Sequence, residues 1–128
     1  MIAGIGADIV SVERIRRVLQ RHDGRFARRV LADSELHAYV GLADGAHYVA
    51  KRFAAKEAFY KALGEPSSAA NTWHQLAVGN GPAGQPRLEF GVKLAALLKR
   101  LEIGGWHVSL SDERDYALAY IILERVHS

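Results

Sequence analysis

The chain has 128 residues, of which 49% are apolar and 24% charged, with a formal net charge of +3 and no cysteine. This length and composition suit one folded domain and exclude a disordered chain. No apolar run approaches the roughly 18–20 residues that a membrane span needs, and we expect no secretory leader. The absence of cysteine excludes disulfide and thiolate chemistry and is compatible with a reducing cytoplasm. We therefore expect a single domain over residues 1–128, located in the cytoplasm and without a membrane partner.

The first half of the chain predicts one strand followed by four helices. The strand is apolar with interspersed glycines, and Ser11 is a suitable N-cap for the first helix, which Asp23-Gly24 ends. The last helix is rich in Ala, Lys, Glu and Leu and is closed by Gly64, a typical C-terminal cap. These elements are predicted over residues 2–10, 12–22, 25–31, 33–42 (capped by Asp33 or Ser34) and 46–63.

The second half predicts a loop, two short strands, a helix and a closing hairpin. Glycines and prolines mark the loop and the turn between the two strands, whereas strict alternation marks the hairpin. Mixed helices and strands that end in an antiparallel hairpin predict an α+β sandwich. The loop is predicted over 65–72, the strands over 74–79 and 86–90, the helix over 91–102 and the hairpin over 106–111 and 116–124.

Arginine is concentrated near the N-terminus. Residues 14–29 contain seven arginines and one acid, Asp23, so this segment carries a local charge of +6 and the rest of the chain is net acidic. Such a concentration is typical of a docking face for an anionic partner, although a solvated helical face is the alternative. The arginines are Arg14, Arg16, Arg17, Arg21, Arg25, Arg28 and Arg29.

Asp8 is a lone carboxylate in the apolar first strand. Alternation places it on one face with Gly4 and Gly6, and these glycines predict open space above the backbone, where a ligand could approach closely. A buried carboxylate needs a cation, a metal or several hydrogen-bond donors. A strand-ending turn at Asp8 is the alternative of equal weight.

Glu57 and Lys61 lie four residues apart in the long helix and therefore share a face. They could form a surface ion pair worth only ~0.3 kcal/mol. Alternatively, Asp8 and Glu57 offer two hard oxygen ligands, and Mg²⁺ is usually held by one or two carboxylates together with water and a substrate phosphate. Lys61 could then reach the same phosphate as a point charge.

Three segments in register resemble the holo-acyl-carrier-protein synthases, which are short trimeric phosphopantetheinyl transferases. The segments are GIGADIVSVERI from residue 4, RFAAKEAFYKAL from residue 52 and HVSLSDERDYALAYIILE from residue 107. The resemblance implies a mostly antiparallel sheet packed against a long central helix, assembled as a homotrimer with sites at the subunit interfaces. It also implies Mg²⁺-dependent transfer of 4′-phosphopantetheine from coenzyme A to a serine of apo-acyl carrier protein, in fatty acid biosynthesis.

The same resemblance implies roles for individual residues. Glu57, Lys61 and His107 form the catalytic set, and Asp8 with Glu57 holds magnesium against the pyrophosphate of coenzyme A. His107 shares a strand face with two serines and is a candidate base, although a lone histidine on a strand is more often structural. The coenzyme A contacts implied are Arg52 (from a neighbouring subunit), Lys61, Pro86 and His107. The residues implied to dock the acidic carrier protein are Arg14, Arg21 and Arg25.

The resemblance breaks in three places. Residues 64–70 lack the glycine-rich run of the family, residues 44–47 replace basic residues, and Asp112 stands where many members have histidine. We expect the reaction to survive and the affinity for coenzyme A to differ. A basic nucleic-acid-binding module is the rival interpretation, but it leaves Asp8, Glu57 and Lys61 without a role. An inactive homologue that serves as an interaction protein is the third.

Overall fold

The computed structural model of the protein describes residues 1–21, 23–64 and 72–126, with Thr72 described in its backbone only. Five strands and six helices lie within these residues, in an α+β arrangement that confirms the predicted fold class. None of the helices is long and apolar enough to cross a membrane. In chain order the elements are β1 (Ile2–Ser11), α1 (Val12–Arg21), α2 (Arg25–Val30), α3 (Asp33–Tyr39), α4 (Ala46–Leu63), α5 (Thr72–Gln75), β2 (Leu76–Asn80), β3 (Pro86–Phe90), α6 (Val92–Arg100), β4 (Ile103–Asp112) and β5 (Tyr116–Arg125).

Most predicted elements form within two or three residues of their expected bounds. The Ser11 cap is confirmed, because its hydroxyl accepts a hydrogen bond from the backbone of Arg14 at 3.2 Å. The predicted cap of α3 is wrong: α3 begins after Ala32, whose backbone N–H donates to the Glu35 carboxylate at 2.9 Å. The start of the strand predicted at residue 74 is also wrong, because residues 72–75 form α5. The loop predicted over 65–72 lies otherwise outside the described residues.

The strands form two antiparallel sheets. One has the order β1-β5-β4 and the other pairs β2 with β3. In the larger sheet Asp8 lies opposite Ala119 of β5, and Ala119 is fully buried against α4. The side chain of Asp8 therefore lies on the inner face of the sheet, which packs on α4.

Small residues bring β1 into close contact with α4. A Cβ added at Gly4 would lie 1.8 Å from the carbonyl oxygen of Ala62, and one at Gly6 would lie 1.8 Å from that of Ala58. The open space predicted above these glycines is therefore filled by the backbone of α4, and the prediction that a ligand enters there is wrong. What approaches closely is the helix that carries Glu57 and Lys61.

The outer face of the larger sheet carries large apolar side chains that lie exposed in the single chain. Ile5 and Ile9 of β1 are 61% and 63% exposed, and Tyr120 of β5 is 51% exposed. Such a patch on a folded domain usually marks an interaction surface. We call it the outer sheet face.

Candidate active site

Asp8 meets Lys61 where β1 crosses α4. The Nζ of Lys61 donates to Asp8 Oδ1 at 3.0 Å and to the carbonyl oxygen of Ala7 at 3.0 Å. Strand β1 continues to Ser11, so the alternative of a strand-ending turn at Asp8 is wrong. The Asp8 side chain is 17% exposed and pairs with Lys61, whereas the spacing of the helix suggests an ion pair of Lys61 with Glu57.

Glu57 lies one turn before Lys61 and lines the same cleft as Asp8, with a volume of about 280 Å³. Burial raises the pKa of Glu57, the negative charge of Asp8 raises it further, and Lys61 opposes both effects. Two carboxylates therefore face one ammonium in a partly desolvated cleft. This excess of negative charge suits a bound cation.

These residues fit a magnesium ion better than a closed zinc site. Among the described residues no group of three or more His, Cys, Asp or Glu side chains is placed to hold a metal. An ion bound by Asp8 and Glu57 would take its remaining ligands from water or from a substrate. That ligand set is the usual one for Mg²⁺, whereas structural zinc takes four protein ligands.

The walls of the cleft are apolar and its rim is basic. Val18, Phe26 and Phe53 line it, and the rings of Phe26 and Phe53 lie 5.6 Å apart. Arg14 reaches the rim, and a second hollow of about 390 Å³ shares Val18 and Phe26 and adds Arg25. The structure thus places Arg14 in the cleft with the carboxylates and Arg25 in the adjoining hollow. The third, Arg21, is exposed at the end of α1.

His107 lies on the outer sheet face, with Ser109 and Ser111 as the alternation predicted. Its Nε2 donates to Glu124 Oε1 at 2.6 Å, and this hydrogen bond lowers the pKa of Glu124. Asp8 lies on the inner face. One chain therefore cannot present Asp8 and His107 to the same small ligand.

Arg52 lies in the interior, and the structure does not place it at the cleft. Only 6% exposed, it donates from Nη2 to the carbonyl oxygen of Val78 at 3.2 Å and lies 3.8 Å above the ring of Tyr48. Pro86 begins β3 after a tight turn and does not line the cleft either. The contacts of Arg52 and Pro86 with coenzyme A stay predictions.

A model of the 4′-phosphopantetheinyl transferase superfamily matches residues 4–121. The holo-[acyl-carrier-protein] synthase of Aromatoleum aromaticum is 46% identical over 125 residues, covering 98% of this chain and 99% of that protein. The chain belongs to the holo-[acyl-carrier-protein] synthase family. The synthase of Halorhodospira halophila is 47% identical over 123 residues, with coverage of 96% and 98%.

Solved structures of the same family share the fold. The synthase of Neisseria meningitidis matches with a TM-score of 0.93 at 38% identity, covering 98% of this chain and 100% of that one. The synthase of Bacillus anthracis, in complex with CoA (3′,5′-ADP), matches with a TM-score of 0.80 at 32% identity, covering 98% and 99%. The family and fold predicted from the sequence are confirmed.

Two positions where this family member departs from the expected pattern take part in ion pairs. Asp44 accepts a hydrogen bond from the backbone of Ala46 and pairs with Arg16 at 3.0 Å, and these contacts lower the pKa of Asp44. The Oδ1 of Asp112 lies 3.8 Å from the Nζ of Lys51 in α4. Glu124 was not predicted as a partner of His107, although it alternates with Ile122 on β5, and Ile122 lies opposite His107.

Proposed function

We propose that the protein transfers 4′-phosphopantetheine from coenzyme A to a serine of an apo-acyl carrier protein. The observation that carries the proposal is the convergence of Asp8, Glu57 and Lys61 in one cleft with a basic rim. The names of the relatives and the CoA complex of the Bacillus anthracis synthase support it. The nucleic-acid-binding alternative leaves this convergence without a purpose.

The reaction is a displacement at phosphorus. The serine oxygen bonds to the phosphorus that carries the pantetheine arm, and the pyrophosphate bond to the adenosine 3′,5′-bisphosphate breaks. Asp8 and Glu57 would hold Mg²⁺, which would neutralise the pyrophosphate charge. Lys61 supplies a further positive charge, so that positioning and electrostatic stabilisation provide most of the catalysis. The serine proton would leave through a water held near Asp8 or Glu57, or through His107.

The exposed arginines are the proposed docking surface for the carrier protein. Arg14 and Arg25 flank the cleft, and Arg21 extends the same basic surface along α1. An acidic carrier would be steered to this surface by charge. The serine of the carrier that receives the phosphopantetheine would then lie over the apolar wall formed by Phe26 and Phe53.

We further propose that the protein acts as a homotrimer with sites at the subunit interfaces. The apolar outer sheet face supports a self-association surface, and His107 lies on that face. In this proposal His107 of one subunit would contact coenzyme A bound at Asp8 of a neighbour, because the two residues lie on opposite faces of the sheet within one chain. In fatty acid biosynthesis such an enzyme would work in the cytoplasm, as the composition predicts.

Mass spectrometry of the carrier tests the reaction directly. Purified protein, Mg²⁺, coenzyme A and an apo-carrier should give a carrier heavier by one phosphopantetheine group. Asp8→Ala and Glu57→Ala should abolish this gain and keep the circular dichroism spectrum, whereas Glu89→Ala, an exposed carboxylate on β3, should keep both. Absence of the mass gain with the unaltered protein would refute the proposed function, and near-normal turnover in both cleft variants would refute the metal site.

A further inference from the structure

Lys56 directly precedes Glu57 in α4, yet its side chain is fully buried. Its ammonium donates three hydrogen bonds: to the carbonyl oxygen of Val30 at 2.7 Å, to Glu35 Oε1 at 2.6 Å and to the carbonyl oxygen of Trp73 at 2.9 Å. Burial lowers the pKa of Lys56, and the Glu35 carboxylate opposes that effect. All three donors of the ammonium are used, and each reaches a different helix: α2, α3 and α5.

Glu35 completes the same connection from α3, and it is only 2% exposed. Its Oε1 also accepts from the backbone of Ala32 at 2.9 Å, and its Oε2 accepts from the backbone of Val78 at 2.7 Å. Glu35 therefore links α3 to β2 through Val78 and to α4 through Lys56. We call Glu35 and Lys56 the buried pair.

The elements joined by the buried pair form one wall of the candidate site. Phe53, one turn before Glu57, lines the cleft and lies between two rings. The ring of Phe26 from α2 lies 5.6 Å from it, and the ring of Trp73 from α5 stacks on it at 5.5 Å with planes 7° apart. Lys56 thus anchors the backbones of the two helices whose rings pack on Phe53.

Helix α2 needs such an anchor. With six residues it is too short to be stable by itself, and its N-cap, Gly24, makes no side-chain cap hydrogen bond. It also carries Arg25 and Phe26, which line the basic hollow beside the cleft. An apolar side chain at position 56 could fill the volume, but it could not bind the carbonyl oxygens of Val30 and Trp73.

We propose that the buried pair is a positioning device for carrier docking: it fixes α2, with its docking arginine and aromatic wall, relative to the carboxylate of Glu57. This inference rests on the proposed function. Neither residue of the buried pair touches coenzyme A or the serine; both act through the placement of α2 and α5. Loss of the pair should therefore weaken the use of the carrier more than the use of coenzyme A.

The first test is Lys56→Met, which keeps the length of the side chain and removes its donors. We expect the KM for apo-carrier to rise at least tenfold, while the KM for coenzyme A stays within twofold. Lys51→Met is the matched control, because Lys51 lies on the same helix with its side chain 30% exposed. The control should leave both KM values within twofold. Equal changes of the two KM values in Lys56→Met would overturn the proposal.

The double variant Glu35→Gln/Lys56→Met separates positioning from stability. It removes both charges of the buried pair, and Arg52, which lies 4.0 Å from Glu35 Oε2, keeps its hydrogen bond to Val78 and its contact with the Tyr48 ring, so the Tm should recover in part relative to Lys56→Met. The amide introduced at position 35 belongs to α3, so it cannot replace the hydrogen bond by which Lys56 of α4 holds the carbonyl oxygen of Val30 in α2. The KM for the carrier should therefore stay raised. A carrier KM that recovers together with the Tm would show a merely structural role and overturn the proposal.

Hydrogen exchange supplies a readout that does not depend on activity. The backbone N–H groups of Arg28 and Leu31 donate to the carbonyl oxygens of Gly24 and Ala27 within and just after α2. In the double variant we expect these N–H groups to exchange at least tenfold faster, while α1 keeps its protection. Unchanged protection of α2 in the double variant would overturn the positioning role. Failure of the unaltered protein to transfer phosphopantetheine would refute only the proposed function, so the two failures can be told apart.

Discussion

Substitution of Gly6 by alanine tests whether the close contact between β1 and α4 sets the geometry of the site. The added Cβ would lie 1.8 Å from the carbonyl oxygen of Ala58 and 2.8 Å from the backbone nitrogen of Ala62. Real Cβ contacts are essentially never shorter than 3.0 Å, and the obstacles here are backbone atoms of a central helix. Strand β1 must therefore move away from α4 by about 1.2 Å, because the core has no free volume to absorb the clash.

This displacement should affect both stability and catalysis. Overpacking of a core costs about 1–3 kcal/mol, so we expect the free energy of unfolding to fall by about 2 kcal/mol. Asp8 lies two residues after Gly6 on the same face, so its distance of 3.0 Å to Lys61 Nζ should grow beyond hydrogen-bonding range. A misplacement of about 1 Å can cost about 100-fold in rate, and we expect a loss of that order in the transfer of phosphopantetheine.

The measurements are urea unfolding and the transfer rate as a function of Mg²⁺ concentration. Gly41→Ala is the control, because a Cβ there would meet only the carbonyl oxygen of Ala38 at an ordinary 3.7 Å. It should change the free energy of unfolding by no more than about 0.5 kcal/mol. A Gly6→Ala protein with unaltered stability would refute the packing argument. Lost stability with an unaltered rate would show that the spacing of β1 and α4 does not set the site.

Three further predictions concern charge and assembly. Because burial and a neighbouring carboxylate raise the pKa of Glu57 above its value in the unfolded chain, its ionised form opposes folding above the raised pKa, and the penalty disappears as the pH falls below both values. Glu57→Gln should therefore raise the free energy of unfolding at pH 7 in EDTA while abolishing transfer; a less stable variant would contradict this. The double variant Arg14→Glu/Arg21→Glu should raise the KM for the carrier far more than the KM for coenzyme A, and added salt should have the same effect. Arg100→Glu, at the exposed arginine of α6, is the control. Equal changes of the two KM values would refute the docking surface. Inactive Asp8→Ala and His107→Ala proteins, unfolded and reassembled together, should regain activity that neither has alone, and no regain would contradict a site shared between subunits.

Local signals were enough to predict the long helix. The absence of Gly and Pro over residues 46–63 and the closing glycine gave both bounds of α4, and Gly64 adopts the left-handed conformation, φ 79°, that only glycine takes readily. The start of α3 could not be predicted in this way. Its first turn is set by Glu35, whose carboxylate is held in place by contacts with Lys56 and Val78 far along the chain.

The candidate site was predictable in its chemistry but not in its geometry. Two carboxylates and a lysine that suit a metal and a phosphate can be recognised from residue types, spacing and resemblance. The group that fills the space above Gly6 cannot be recognised in this way, because the backbone of α4 approaches Gly6 only in the folded chain. The alternation of β4 likewise predicts which residues accompany His107. It does not predict that they lie on the face opposite Asp8, which depends on the strand order β1-β5-β4.

The two lysines of the family motif show how α4 serves structure and chemistry together. Lys56 and Lys61 are five residues apart, so they point about 140° apart around a helix of 3.6 residues per turn. Since α4 is central, with the larger sheet on one side and the shorter helices on another, that rotation takes Lys56 into the interior and leaves Lys61 55% exposed at the seam between them. Glu57 follows Lys56 directly and opens onto the same seam. The residue that anchors α2 and the residue proposed to hold the metal are therefore neighbours on one helix, so the proposed carrier docking and phosphate chemistry would both depend on the position of α4.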